Sequence, residues 1–160
     1  MPSAAVSDVC ADAFTTVTSD GLTYTWPNVQ SCQMDNILAA GQTMLVNGAS
    51  GATKLGLLGS STNGSSQGTI TVHYTDGTST TATLFFGDWA QSASNGNITV
   101  ATMPYRNSTG GSSQPITMYV FAAEVPVNSG KTVASVTFPS VSNRVGGSIT
   151  AMHVFALTTG

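Results

Sequence analysis

The sequence predicts an all-β protein, a two-sheet antiparallel β-sandwich of the jelly-roll type with about nine strands, and three observations carry that prediction. Short alternating apolar runs recur along the chain, turn residues separate almost all of them, and each run has the length of a strand rather than a helix. With 160 residues and 41% apolar content the chain is large enough to bury one core, which sets aside disorder as the reason for its many Gly and Ser residues.

Taken in order, residues 22–26 (Leu-Thr-Tyr-Thr-Trp) alternate and stop at Pro27-Asn28, residues 43–46 stop at Asn47-Gly48, and residues 54–58 stop at Gly59. The clearest hairpin joins 68–74 to 78–86 through Thr75-Asp76-Gly77, because Asp-Gly supplies the positive φ that a tight turn demands. Residues 98–103, 116–123, 132–138 and 148–157 complete the strand set. Residues 35–40, followed by Gly41, read either as one helical turn capped by Asp35 or as a bent loop. Residues 60–67 and 108–114 read as Gly/Ser-rich loops. No break is long enough to divide the chain, so the expected organisation is an N-terminal arm over residues 1–13 and a single sandwich domain over 14–160.

Charged residues make up only 7% of the chain, against about a quarter in a typical domain, which points to a secreted, extracellular protein. The net charge of −3 and the four cations Lys54, Arg106, Lys131 and Arg144 give no surface for a phosphate backbone, so nucleic acid is excluded as a partner. No apolar run approaches the ~20 residues that cross a bilayer, so no membrane partner is expected. The Met1-Pro2-Ser3 start carries no signal-peptide pattern and reads as a mature-domain boundary, with the targeting signal and any catalytic domain outside the sequence. Cys10 and Cys32 suit a disulfide in an oxidising compartment, contributing roughly 3 kcal/mol by loop closure; two unpaired thiols are the alternative.

Catalytic chemistry finds little support. Asp76 sits in a hairpin turn, and Asp8, Asp12 and Asp20 lie in the irregular N-terminal part, so no two carboxylates are visibly held for acid and base work. Glu124, the only Glu, stands at a strand end and reads as a surface partner of Lys131 or Arg144. His73 and His153 fall inside alternating strands without metal-ligand spacing, and no G-x-S-x-G elbow is present. The expectation is a protein that is not an enzyme and carries no cofactor.

Aromatic residues beside amides and a guanidinium make a stronger case. Sugars stack their C–H faces on aromatic rings and need planar donors and acceptors for their hydroxyls. Trp26 ends one strand before Pro27-Asn28, Asp88 and Trp89 follow Gly87 at the end of another, and Tyr105, Arg106 and Asn107 follow Pro104 at a third. These six residues are the candidate ligand contacts. Each has a structural alternative: Trp26 and Trp89 as caps on the core, Tyr105 as a loop anchor, and Arg106 as a clamp on Asp88 or Asp35. Asp35 and Asn36 are also candidate ligands for a structural calcium, although the D-x-D-x-D-G pattern is missing.

Residues 24–29 (Tyr-Thr-Trp-Pro-Asn-Val) and 35–43, then 55–60, 74–78, Asp88-Trp89, 104–107, 130–137 and 152–156, follow one another in an order that resembles the C-terminal β-sandwich accessory modules, similar to carbohydrate-binding modules, of secreted bacterial glycoside hydrolases. The resemblance spans about residues 14–158. Such modules accompany α-mannosidase-like, α-fucosidase-like and other secreted hydrolases, and some stand beside secreted acid peptidases. The resemblance therefore implies an accessory role, a polysaccharide or glycan as ligand, and a catalytic domain elsewhere as partner; it implies no particular binding residues. The Cys10 and Cys32 pair and the short N-terminal region depart from the family pattern. An excised module of this kind is expected to be a monomer. The rival readings are a structural domain that supports a neighbouring catalytic domain and an extracellular adhesin or filament subunit.

Overall fold

The computed structural model describes residues 16–29, 34–107, 112–142 and 149–160. The expected arm at 1–13, the Cys10 and Cys32 pair and Arg144 lie outside the described residues. The rest is all-β, with thirteen strands where about nine were expected. The four that the sequence did not announce are short: β1 (Thr16–Ser19), β3 (Ile37–Leu38), β9 (Arg106–Asn107) and β10 (Ser113–Gln114). The others are β2 (Leu22–Thr25), β4 (Thr43–Leu45), β5 (Lys54–Thr62), β6 (Ser66–Tyr74), β7 (Ser79–Phe86), β8 (Ile98–Met103), β11 (Met118–Pro126), β12 (Val133–Thr137) and β13 (Ala151–Thr159).

Two sheets form the sandwich, one in the order β3-β13-β5-β11-β8 and the other β4-β12-β6-β7. Every strand pair in them is antiparallel. Apart from β8, which is appended at an edge, each sheet holds four strands, and the chain crosses between sheets at β3–β4, β4–β5, β5–β6, β7–β8, β11–β12 and β12–β13. That winding is a jelly roll. The predicted hairpin is β6–β7, with His73 opposite Ser79 and Gly77 at φ 83°. In its turn the Asp76 carboxylate accepts from the Thr78 amide at 3.0 Å and from Lys131 Nζ at 2.9 Å.

The inner faces meet in a core that includes Leu55, Leu57, Ile70, Val72, Phe86, Phe121, Val136 and Met152. A second apolar cluster forms on the other face of the five-stranded sheet, where the β1–β2 hairpin packs Leu22, Tyr24 and Trp26 against Leu58, Val120 and Phe155. The hairpin turns at Asp20-Gly21, both at positive φ (45° and 76°), as a primed turn requires. Gly56 lets it approach, because a Cβ there would collide with Tyr24 Oη and Leu22 Cδ1. Lys54 fastens the turn: its ammonium pairs with Asp20 at 2.5 Å and with Glu124 at 3.0 Å. Glu124 thus pairs with Lys54, not with Lys131, whose ammonium is held by Asp76.

Two-sided burial and edge pairing explain the segments that the sequence misplaced. Because β5 is covered on both faces, Leu55 to Thr62 are buried in succession and alternation disappears. Residues 60–67 are accordingly two strand ends around a tight turn at Asn63 and Gly64, with φ 58° and 110°, rather than a loop. Residues 35–40 form no helical turn, since Ile37 and Leu38 pair with Val154 and His153 at the sheet edge.

Candidate functional site

The six candidate contacts separate into an internal set and a surface set. Trp26 is only 4% exposed and stacks on Phe155, with ring centroids 5.2 Å apart and planes 17° from parallel. Its face is therefore occupied by the core, and it is no ligand contact. The hairpin that carries it has a buried face to cover, and a Trp at the end of an alternating strand supplies the largest apolar area.

Asp88 is likewise internal, at 8% exposure. One carboxylate oxygen accepts from the Gly64 amide at 2.6 Å and the other from the Ala90 amide at 2.9 Å, while the Asp88 amide donates to Ser65 Oγ at 3.2 Å. Asp88 therefore ties the β5–β6 turn to the segment after β7, and its burial rather than its chemistry keeps it from a sugar. Beside it, the Trp89 backbone is stitched between two strands: its amide donates to the Ser61 carbonyl and its carbonyl accepts from the Tyr119 amide, both at 2.7 Å. The Trp89 ring is half-buried against the outer cluster.

The surface set lies beyond β8, where Pro104 and Tyr105 lead into the small β9–β10 hairpin. Arg106 is opposite Gln114 in that pairing, and Arg106 Nε donates to Gln114 Oε1 at 2.6 Å. The guanidinium lies over the Trp89 ring, 5.9 Å from its centroid. Arg106 is thus oriented by an amide and an aromatic face. The expected clamp on Asp88 does not form: the Asp88 oxygens accept from the Gly64 and Ala90 amides, and Arg106 Nε is directed to Gln114 instead. Tyr105 is 52% exposed and Asn107 is exposed next to Arg106. The result is a shallow surface with an open phenol ring, a positioned guanidinium and two amides, Asn107 and Gln114. Gln114 was placed in a loop by its Ser-rich neighbourhood, and only the pairing across residues 106 and 114 reveals its role.

The Asp35–Asn36 pair is engaged otherwise than as calcium ligands. Asn36 Nδ2 donates to Asp35 Oδ1 at 2.8 Å, and Asn36 Oδ1 contacts His153 Nδ1 at 2.8 Å. A cation using the Asn36 oxygen would have to break the histidine contact, and among the described residues no three His, Cys, Asp or Glu side chains converge. Near this pair a cleft of about 270 Å³ is walled by Pro27, Met34, Met44, Phe155 and Leu157. It opens where β3 and β4 form edges of the two sheets, and Met34 (81% exposed) and Leu45 (89%) stand out there.

Winding, layering and burial define a β-sandwich domain with a polar aromatic surface at one end of the outer cluster. Residues 5–159 match the model of the AziU2-like β-sandwich domain, and the chain belongs to that family. No curated protein matches it.

Proposed function

We propose that this chain is a non-catalytic accessory module of a secreted glycan-degrading protein, and that it holds a polysaccharide or glycan against the surface formed by Tyr105, Arg106, Asn107 and Gln114. The observation that carries the reading is the pairing of an open Tyr105 ring with a guanidinium already oriented by Gln114 and Trp89. Pre-orientation lowers the entropy cost of binding, and a ring with an adjacent planar donor suits a sugar's apolar face and its hydroxyls. One open ring supports only weak binding. The low charge of the chain supports an extracellular setting, and the catalytic partner is a domain outside this sequence.

Affinity electrophoresis of the isolated chain through gels holding different polysaccharides tests this. At least one polymer should retard the protein, Tyr105→Ala should lose the retardation at that surface, and its melting temperature should stay near the wild type. Retardation unchanged in Tyr105→Ala and Arg106→Ala would remove the surface from the account.

A second reading rests on Met34 and Leu45, whose exposure at the β3 and β4 edges favours a contact with a neighbouring domain. Under it, this module orients its catalytic partner, and Met34→Lys with Leu45→Lys weakens co-purification of the two domains without affecting glycan retardation. The filament alternative requires concentration-dependent assembly in size-exclusion chromatography, and a single monomer peak at all concentrations argues against it.

A further inference from the structure

The outer face of the four-stranded sheet carries hydroxyls in register. Strand pairing places Thr43, Thr137, Thr71 and Thr81 in one row across β4, β12, β6 and β7. The next row holds Leu45, Ser135, His73 and Ser79, and Thr69 faces Thr83 on the other side of the first. These residues alternate with Ile70, Val72, Leu84 and Val136, which are buried in the core, so the rows face outward. Neighbouring strands are spaced by about 4.8 Å and alternate residues along a strand by about 7 Å, which sets the grid. Hydrogen bonding confirms the shared face: Thr43 Oγ1 lies 2.8 Å from Thr137 Oγ1, and His73 Nε2 lies 2.8 Å from the same oxygen. His73 is half-buried.

No Asp, Glu, Lys or Arg stands in these rows. Lys131 is taken up at the sheet end by Asp76 and Thr78. An anionic polymer would find no Lys or Arg within the rows to pair with, whereas each Thr hydroxyl can both donate and accept beside a methyl group. An extended pyranose chain without uronic acids repeats its hydroxyls at a rise close to the strand spacing and brings no charge to the face.

We propose that this face is a second binding surface, for a neutral extended polysaccharide chain lying across the strands along the threonine rows. It is separate from the Tyr105 surface, which adjoins the cluster on the outer face of the other sheet, so the two surfaces lie on opposite sides of the sandwich. The module can then hold two chains at once.

The test is affinity electrophoresis in gels holding hydroxyethyl cellulose or mixed-linkage β-glucan, with polygalacturonate as the acidic comparison. The proteins are the wild type, Tyr105→Ala and, each built on Tyr105→Ala so that the first surface cannot mask the second, Thr71→Glu with Thr81→Glu and the milder Thr69→Ala with Thr83→Ala. The expected result is retardation of Tyr105→Ala by a neutral polymer, at least tenfold weaker apparent affinity once the Glu pair is added, an intermediate loss with the Ala pair, and no retardation by polygalacturonate. Failure of any neutral polymer to retard Tyr105→Ala, or equal retardation of Tyr105→Ala with and without the Ala pair, would overturn the proposal. Wild-type binding that is lost in Tyr105→Ala leaves the first surface standing and removes the second; binding unchanged in Tyr105→Ala and lost on adding the threonine changes does the reverse.

Discussion

Lowering the pH below neutrality should loosen this fold through His153, and the size of the effect follows from its surroundings. The ring is 1% exposed, and burial pushes its pKa down to about 4 from 6.5. The Asn36 amide group donates to Asp35 through Nδ2, which turns its oxygen to His153, so Nδ1 carries the proton and Nε2 accepts from Thr62 Oγ1 at 3.1 Å. The neutral ring is satisfied on both sides. An imidazolium there would lose its hydration, and that burial is what lowers the pKa. The unfolded chain therefore binds the proton more readily: stability is fully present above pH 6.5 and is lost as pH falls toward 4. From those two pKa values the loss is about 2 kcal/mol at pH 5 and about 3 kcal/mol at pH 4. Urea unfolding of the wild type and His153→Gln between pH 7.5 and 4 isolates this contribution, since the glutamine cannot titrate while other groups do so in both proteins. The stability gap between them should move by the stated amount in favour of the variant as pH falls. A gap that stays constant across that range would refute the assignment of a buried neutral His153.

The other predictions separate core from surface. Trp26→Ala should cost about 3–5 kcal/mol in denaturant unfolding, because it removes a buried ring stacked on Phe155. Tyr105→Ala should change stability by no more than about 0.5 kcal/mol, since its ring is largely in solvent. Gly56→Ala should detach the β1–β2 hairpin, seen as faster hydrogen exchange in Leu22–Thr25 with β6–β7 protection unchanged. Alkaline titration followed by tyrosinate absorbance should show one of the four tyrosines ionising near pH 12, because burial, aided by Glu124, pushes the Tyr24 hydroxyl up to about 12.

The sandwich was legible wherever one face of a strand meets water. The 68–86 hairpin showed both its alternation and its Asp-Gly turn, and it folds as read. Legibility failed where burial is two-sided or the strand is very short. Nothing local marks Ser60, Ser61 and Thr62 as strand, because their small side chains carry no alternating pattern and their pairing is with the distant β13. Ile37-Leu38 becomes a strand only because β13 offers an edge. The candidate site divided for a related reason. Composition identified aromatic and polar residues at strand ends, but Trp26 and Tyr105 look alike in sequence and differ in whether another layer covers them. The hydroxyl rows were invisible because they arise from register among four strands, three of which are distant in sequence from at least one neighbour.

Fluorescence gives the most direct test of the glycan-binding account, because the chain has two tryptophans and only Trp89 adjoins the proposed surface. Titration with a retarding polysaccharide should change the emission of the wild type and of Trp26→Phe, and Trp89→Phe should show no change. A response that persists in Trp89→Phe, or emission unaltered in the wild type while the polymer binds, would contradict the placement of the glycan against Tyr105 and Arg106.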